Sequence, residues 1–93
     1  MDWEESIKFP DIFDLSGKKA IVTGVSRGLG AAMALALARA GADLIIVARG
    51  EEELAARAER LRELSGREVT PVTADLTRLE DIERMVATAM AQW

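Results

Sequence analysis

The sequence contains no cysteine, no histidine, no tyrosine and no asparagine. Without cysteine there is no disulfide framework, no thiol nucleophile and no thiolate metal ligand. The additional lack of histidine argues against a zinc or haem site. General acid–base chemistry would have to come from carboxylates or from Lys8, Lys18 or Lys19. The composition therefore predicts no metal site and leaves few candidates for proton transfer.

Long apolar runs and excess positive charge are also missing. The longest apolar run, residues 31–38, is far too short to span a bilayer. The net charge of −4 disfavours nucleic-acid binding through bulk electrostatics. Residues 1–5 include three acids, Asp2, Glu4 and Glu5, whereas a secretory signal would begin with basic residues. We expect a cytoplasmic protein with neither a nucleic-acid nor a membrane partner.

The length of 93 residues allows at most one small domain. Hydrophobic residues make up 49% and charged residues 30%, which is an ordinary globular balance. Residues 1–17 carry five acids and one base, and their apolar residues follow no clean period around Pro10. We therefore divide the chain into an N-terminal arm, residues 1–17, and a folded domain, residues 18–93.

The domain is organised around residues 23–30, which read TGVSRGLG. They follow a short apolar run and open into an alanine- and leucine-rich run, which predicts a strand, a glycine turn and a helix start. Glycine lets the backbone approach a ligand, and the N–H groups of a helix start attract anions, so this stretch could hold a pyrophosphate. The spacing of Gly24, Gly28 and Gly30 differs from the common G-x-G-x-x-G fingerprint. A tight turn without a ligand is the alternative.

Hydrophobic patterning predicts three strands alternating with three helices. The strands are residues 19–23, 43–48 and 68–74, and the helices are residues 28–40, 51–64 and 77–93. Pro71 lacks a ladder donor, which places strand three at a sheet edge and favours the strand order 3-2-1. The fold class is therefore α/β, a partial Rossmann fold of βαβαβα form with three parallel strands.

Several finer expectations follow from the same patterns. The unbroken apolar run of strand one indicates that both its faces are covered. In helix one, Met33, Leu35 and Leu37 are predicted to be core residues. Thr77 and Glu80 have the spacing of a capping box at the start of helix three. The apolar stripe of that helix is predicted to be Leu79, Ile82, Val86, Ala89 and Trp93.

Four short motifs follow one another along the chain. They are Leu15-Ser16-Gly17-Lys18, Thr23-Gly24-x-x-x-Gly28-x-Gly30, Ala40-Gly41-Ala42 and Ala74-Asp75-Leu76. With them the chain resembles the N-terminal part of a short-chain dehydrogenase/reductase, most like the keto-reductases and sugar-acid dehydrogenases of that family. The resemblance covers residues 15–93 and makes residues 18–93 an NAD(P)-binding Rossmann domain that is incomplete at its C-terminal side.

The resemblance implies roles for the glycine loop and for the end of strand three. Gly24 and Gly30 would permit the tight turn and close helix packing, and Gly28 would let the backbone approach the cofactor phosphates. Ser26, Arg27 and Leu29 would contact ribose or phosphate. Asp75 would bind the adenine amino group, with the Leu76 backbone beside it. The alternative for Asp75 is a turn or capping acid before helix three.

Cofactor choice rests on the end of strand two. An acid there binds the 2′-hydroxyl of NAD, whereas a nearby arginine accommodates the 2′-phosphate of NADP. This strand ends in Val47-Ala48-Arg49 with no acid, and Arg27 lies in the glycine loop, so two guanidinium groups could meet one phosphate. We expect NADP(H) in preference to NAD(H). Alternatively both arginines face solvent, and Glu51 would oppose a phosphate.

The sequence departs from the family in its catalytic residues. Family members carry an Asn-Asn-Ala-Gly stretch, a catalytic serine and a Tyr-x-x-x-Lys pair, and a chain without asparagine or tyrosine cannot contain the first or the last. We assign no catalytic residue, and expect the cofactor-binding portion of an oxidoreductase that passes hydride between nicotinamide and a carbonyl or alcohol substrate. That substrate would bind only if the missing half is present, and an uncapped last helix favours truncation.

A non-catalytic dinucleotide-binding or interaction module is the alternative function. In either case strand one would lack its usual neighbour and would form an open edge. Open edges recruit other strands, so we expect the chain to self-associate through strand one.

Overall fold

Three short parallel strands form the centre of the structure, a computed structural model that describes residues 14–25 and 28–93. The strands and helices alternate along these residues. In chain order they are β1 (Lys19–Thr23), α1 (Gly28–Arg39), β2 (Asp43–Ala48), α2 (Glu51–Ser65), β3 (Val69–Thr73) and α3 (Leu79–Gln92).

The sheet has the order β1-β2-β3, with both neighbouring pairs parallel. Ile21 of β1 lies opposite Ile45 of β2, and Ile46 of β2 lies opposite Pro71 of β3. Read from the other side, this is the predicted order 3-2-1. It confirms the α/β class, the partial Rossmann arrangement and the edge position of Pro71, where a missing N–H does least harm to the ladder.

The core has two layers, one on each face of the sheet. On one face, Leu44 and Ile46 of β2 pack in a cluster with buried residues of α1 and α2, including Leu35 and Leu61. On the other face, Ile45, Val47 and Val72 pack against Ala89 of α3. The run 44–47 is buried on both sides, as expected for a central parallel strand.

Strand β1 differs from the prediction because only one of its faces is covered. Ala20 and Val22 pack against the cluster under α1 and α2, whereas Ile21 is 42% exposed. Ile21 shares its face with Ile45, but α3 packs against residues of β2 and β3 there. The apolar run correctly predicts the strand and wrongly predicts its burial. Met33 of α1 is likewise 53% exposed and not a core residue.

Helix α3 begins at Leu79, two residues later than predicted, and no side-chain cap was found for it in the described part of the chain. The Thr77–Glu80 capping box is therefore wrong. Both the N–H and the hydroxyl of Thr77 donate to the carboxylate of Asp75, two residues upstream. This local turn competes successfully with the helix for the threonine side chain.

The predicted apolar stripe of α3 is only partly buried. Ala89 is buried and Ile82 half-buried, with Met85 beside them, whereas Leu79, Val86 and Trp93 are exposed. The helix contacts the sheet through one half of a wide apolar arc. The other half is left facing outward.

Backbone contacts hold Leu15 and close the end of α2, whereas residues 1–13 of the predicted arm lie outside the described residues. Leu15 packs against the core, and its N–H donates to the carbonyl of Ala40 at 2.6 Å. Gly66 closes α2 in a left-handed conformation, with its N–H on the carbonyl of Arg62.

Two kinds of feature are not found among the described residues. None of their helices has the length and apolar character needed to cross a membrane. The same residues contain no group of three or more potential metal-ligating side chains.

Candidate functional site

A cleft of about 510 Å³ lies at the carboxyl edge of the sheet. Parallel strands all end at this edge, so the three connections that follow them meet there although they are distant in sequence. The lining residues are Gly24, Val47, Ala48, Arg49, Gly50, Glu53, Ala74, Asp75, Leu76 and Thr77. Each of the three β–α connections contributes to this set.

Backbone hydrogen bonds align the carboxyl ends of the three strands. The N–H of Gly24 donates to the carbonyl of Val47 at 3.1 Å, and the N–H of Ala74 donates to that of Ala48 at 3.0 Å. These bonds extend the pairing with β2 by one residue beyond the ends of β1 and β3. The four residues joined by these bonds all line the cleft.

Close packing of α1 on the first strand end explains one glycine of the loop. A Cβ atom added to Gly30 would collide with the carbonyl oxygen of Gly24. Gly24 itself has a φ of 66°, a left-handed conformation that favours glycine. The buried side chain of Val25 fixes the loop to the core between them. The start of α1 is thus brought directly against the end of β1.

Asp75 presents an ionised carboxylate to the cleft. Its Oδ1 accepts hydrogen bonds from the Thr77 hydroxyl at 2.7 Å and from the Thr77 N–H at 3.0 Å. These two bonds, the hydroxyl first, lower the pKa of the Asp75 carboxyl, and the positive charges of Arg49 and Arg78 lower it further. The side chain is therefore a hydrogen-bond acceptor at neutral pH.

Arg49 supplies positive charge on the same wall of the cleft. It follows the last residue of β2, is exposed, and is close enough to Asp75 to affect its ionisation. Glu53, in the first turn of α2, lines the cleft as well. The wall thus offers a guanidinium for an anion and carboxylates for hydrogen-bond donors.

The structure brings together four of the residues predicted to form the site. Gly24, Arg49, Asp75 and Leu76 all line the cleft. Gly28, Leu29 and Gly30 form the first turn of α1 and are not among the lining residues. Ser26 and Arg27 lie outside the described residues.

Six of the lining residues were not assigned to the site from the sequence, and these are Val47, Ala48, Gly50, Glu53, Ala74 and Thr77. Five of them lie within two residues of a strand end or in the connection that follows it. The rule that ligands bind at the carboxyl edge of a parallel sheet would have pointed to them. Thr77 could have been found from the Asp-x-Thr spacing, which is typical of a turn in which the acid accepts from the residue two positions on.

The family model for short chain dehydrogenases matches residues 18–93. The chain belongs to this family. An uncharacterized oxidoreductase from Mycobacterium tuberculosis is 46% identical over 80 residues, which cover 86% of this chain and 30% of that protein. The chain therefore spans about a third of the length of this relative.

Solved structures of short-chain dehydrogenases share the fold. L-sorbose reductase from Gluconobacter frateurii, in complex with NADPH and L-sorbose, superposes with a TM-score of 0.84 at 33% identity, covering 87% of this chain and 31% of that one. A short-chain dehydrogenase from Sphingobium yanoikuyae, in complex with NADPH, gives a TM-score of 0.68 at 45% identity, covering 72% and 26%. Proteins of this family are oxidoreductases that bind a nicotinamide dinucleotide.

Proposed function

We propose that the chain is the NADP(H)-binding portion of a cytoplasmic short-chain oxidoreductase that transfers hydride between nicotinamide and a carbonyl or alcohol substrate. Residues 18–93 are the binding unit, and residues 1–17 are an arm that precedes it. The observation that carries the proposal is the meeting of Gly24, Arg49 and Asp75 in one cleft at the carboxyl edge of the sheet.

The glycine loop is assigned to the pyrophosphate. Gly24 lines the cleft, and the glycine at position 30 lets the N-terminus of α1 lie against it. Free N–H groups and the positive end of the helix dipole favour an anion at this point. Gly28 and Leu29 belong to the same turn, and Ser26 and Arg27 complete the predicted set.

The adenosine half of the cofactor is assigned to the other two connections. The Asp75 carboxylate suits the amino group of adenine because it is a charged acceptor, and Leu76 lies beside it in the cleft. Arg49 suits a 2′-phosphate, since a guanidinium binds phosphate oxygens in pairs. The complexes of two similar proteins with NADPH support this choice of cofactor.

Catalysis is not assigned to any residue of the chain. In the family a tyrosine moves the proton during hydride transfer, and this sequence has none. The proposed role of these 93 residues is therefore to bind and orient the cofactor. Turnover of a carbonyl or alcohol substrate would need residues that the sequence does not contain.

The test is to replace Arg49 by aspartate and to measure the dissociation constants of NADPH and NADH by fluorescence. Arg49→Asp is expected to weaken NADPH binding by roughly tenfold to a hundredfold, the cost of losing a charged hydrogen-bond partner, and to change NADH binding much less. Lys18→Asp makes the same charge reversal at the exposed residue before β1 and serves as the control. Equal losses for both cofactors would contradict the 2′-phosphate assignment.

A second candidate role is an interaction module that self-associates through β1. It is favoured by the position of β1 at one edge of the described sheet and by the exposure of Ile21 on that strand. Exposed apolar edges pair readily with other strands. Self-association would be observed by light scattering as a molar mass that rises with protein concentration.

A further inference from the structure

A carboxylate near the start of α3 turns back onto the loop that lines the cleft. Asp81 Oδ2 accepts a hydrogen bond from the backbone N–H of Asp75 at 2.8 Å, across six residues of sequence. The Asp81 side chain is only 24% exposed, and it is not one of the lining residues. Asp81 therefore contacts the backbone of Asp75, a lining residue, without lining the cleft itself.

The same turn of α3 also holds the end of β3. Arg84, one helical turn after Asp81, donates to the carbonyl of Thr73 at 2.6 Å, and its guanidinium lies 3.7 Å from Asp81 Oδ1. Asp81 and Arg84 therefore attach α3 to the chain on both sides of Ala74. A carboxylate held between an N–H donor and a guanidinium has few orientations open to it.

These contacts fix three groups of Asp75 at once. Its N–H is bound by Asp81, its carbonyl accepts from the N–H of Arg78 at 3.0 Å, and its Oδ1 accepts from Thr77. No partner for Asp75 Oδ2 occurs among the described residues. One carboxylate oxygen is thus kept in place while the other remains available to a donor on a ligand.

We propose that Asp81 is a positioning residue for the adenine end of the cleft, acting through the backbone N–H of Asp75. The inference rests on the proposed function and deepens it. Asp81 holds the backbone of Asp75 in register with β3, so that the carboxylate can meet an exocyclic amino group. Without that bond the turn at residues 75–77 can rotate, and recognition of the amino group is lost while the phosphate contacts of the other connections remain.

The experiment compares two nucleotides that differ at one group of the base. The probes are 2′,5′-ADP and its counterpart with unsubstituted purine as the base, which carries a hydrogen in place of the amino group and keeps N1 as an acceptor. Dissociation constants are measured by calorimetry for the wild-type chain, Asp81→Ala and Asp81→Asn, below the lowest melting temperature of the set. Glu83→Ala removes an exposed carboxylate from the same helix and is the matched control.

The wild type is expected to prefer 2′,5′-ADP by about tenfold, the usual worth of a hydrogen bond to a charged group. Asp81→Ala is expected to reduce this preference to about twofold or less. Asp81→Asn retains an oxygen acceptor for the Asp75 N–H and should preserve most of the preference, as should Glu83→Ala. This pattern supports the inference.

Other outcomes separate this inference from the proposed function. A wild-type chain that binds neither nucleotide overturns the proposed function and the inference together. If the wild type prefers 2′,5′-ADP and Asp81→Ala keeps the same ratio, only the role of Asp81 is overturned. Equal weakening of both nucleotides in Asp81→Ala, with a lower melting temperature, also overturns it, because Asp81 would then act on stability alone.

Discussion

The carboxylate of Asp75 is the side chain whose chemistry the structure defines most fully. Thr77 supplies two hydrogen bonds to it, and the bond from the hydroxyl is the largest single cause of the lowered Asp75 pKa. Because the pKa is lower in the folded than in the unfolded chain, this group stabilises the fold at pH values above the ordinary aspartate pKa. The contribution is lost as the pH falls through the lowered value. Asp75 is therefore charged throughout the neutral range, as an acceptor for an amino group should be.

Replacing Thr77 by valine tests this interaction. Thr77→Val removes the hydroxyl donor and keeps the backbone N–H, so the Asp75 pKa should rise towards the ordinary aspartate value. The pH at which the stabilisation disappears should rise with it. A carbon-13 NMR titration of the aspartate carboxyl groups measures the shift directly. Thr73→Val, at the exposed end of β3, is the control and should leave the Asp75 titration unchanged.

An unchanged Asp75 titration in Thr77→Val would mean that the hydroxyl does not bind the carboxylate in solution.

At the scale of the element, β1 and α3 expose more apolar surface than their sequence patterns predict. Hydrogen bonds to β2 involve the carbonyl of Lys18 and the N–H of Gly24. Since the direction of backbone groups alternates along a strand, the N–H and carbonyl of Ile21 point to the open side of the sheet. Ile21 thus combines an exposed side chain with unpaired edge groups within the described sheet, the arrangement that natural edges usually avoid.

The edge hypothesis predicts that self-association depends on this strand. Light scattering of the wild-type chain at micromolar concentrations should give a mass that rises with concentration. Ile21→Lys places a charge on the edge strand and should shift the mass to that of a monomer of 10.1 kDa. Met33→Lys, which changes an exposed apolar residue on α1, should leave the association intact. A wild type that is monomeric at every concentration would contradict the hypothesis.

The elements that could be predicted from sequence are those whose signals are local. Pro71 indicates an edge strand because proline lacks a donor, and Gly66 ends α2 because it adopts a left-handed conformation. The run 44–47 is long enough and apolar enough to predict a strand covered on both faces. These signals do not depend on where any distant helix packs.

Burial on β1 and α3 could not be predicted in the same way. The apolar arc of α3 includes Ile82, Met85 and Ala89 on one side and Leu79, Val86 and Met90 on the other. Both halves have helical spacing, and only the contact with β2 and β3 selects the first. The pairing of Thr77 with Asp75 is similar, because the sequence offers both an Asp-x-Thr turn spacing and a Thr-x-x-Glu capping spacing, and spacing alone does not select between them.

For the whole molecule, the candidate site exists only when all three strands are paired. Gly24, Arg49 and Asp75 belong to three separate connections. Each lies just after the end of its strand, and the three strands end at the same edge of the sheet. The sequence indicated that the connections carrying these residues lie at one edge of the sheet, because the strand order and the direction of the strands were both inferable. It could not predict the hold of Asp81 on Asp75, which depends on how α3 turns back towards β3.

The family relationship and the cleft support binding of a dinucleotide more directly than they support turnover. The chain covers 30% of the M. tuberculosis relative and 31% of L-sorbose reductase. In the proposed function, its residues would supply backbone for a pyrophosphate, a guanidinium for a phosphate and a carboxylate for an amino group. The proposed role of the chain is therefore to bind NADP(H) at the carboxyl edge of the sheet.

The most direct test is an NMR titration of the nitrogen-15-labelled chain with NADPH. We expect saturable shifts of the amide signals of Gly24, Arg49 and residues 75–77, with little change at Lys19, Asp43 and Glu68 at the opposite edge of the sheet. NADH should cause shifts at the same amides with a weaker affinity. Shifts that do not saturate, or that concentrate away from the carboxyl edge, would contradict binding of NADP(H) in this cleft.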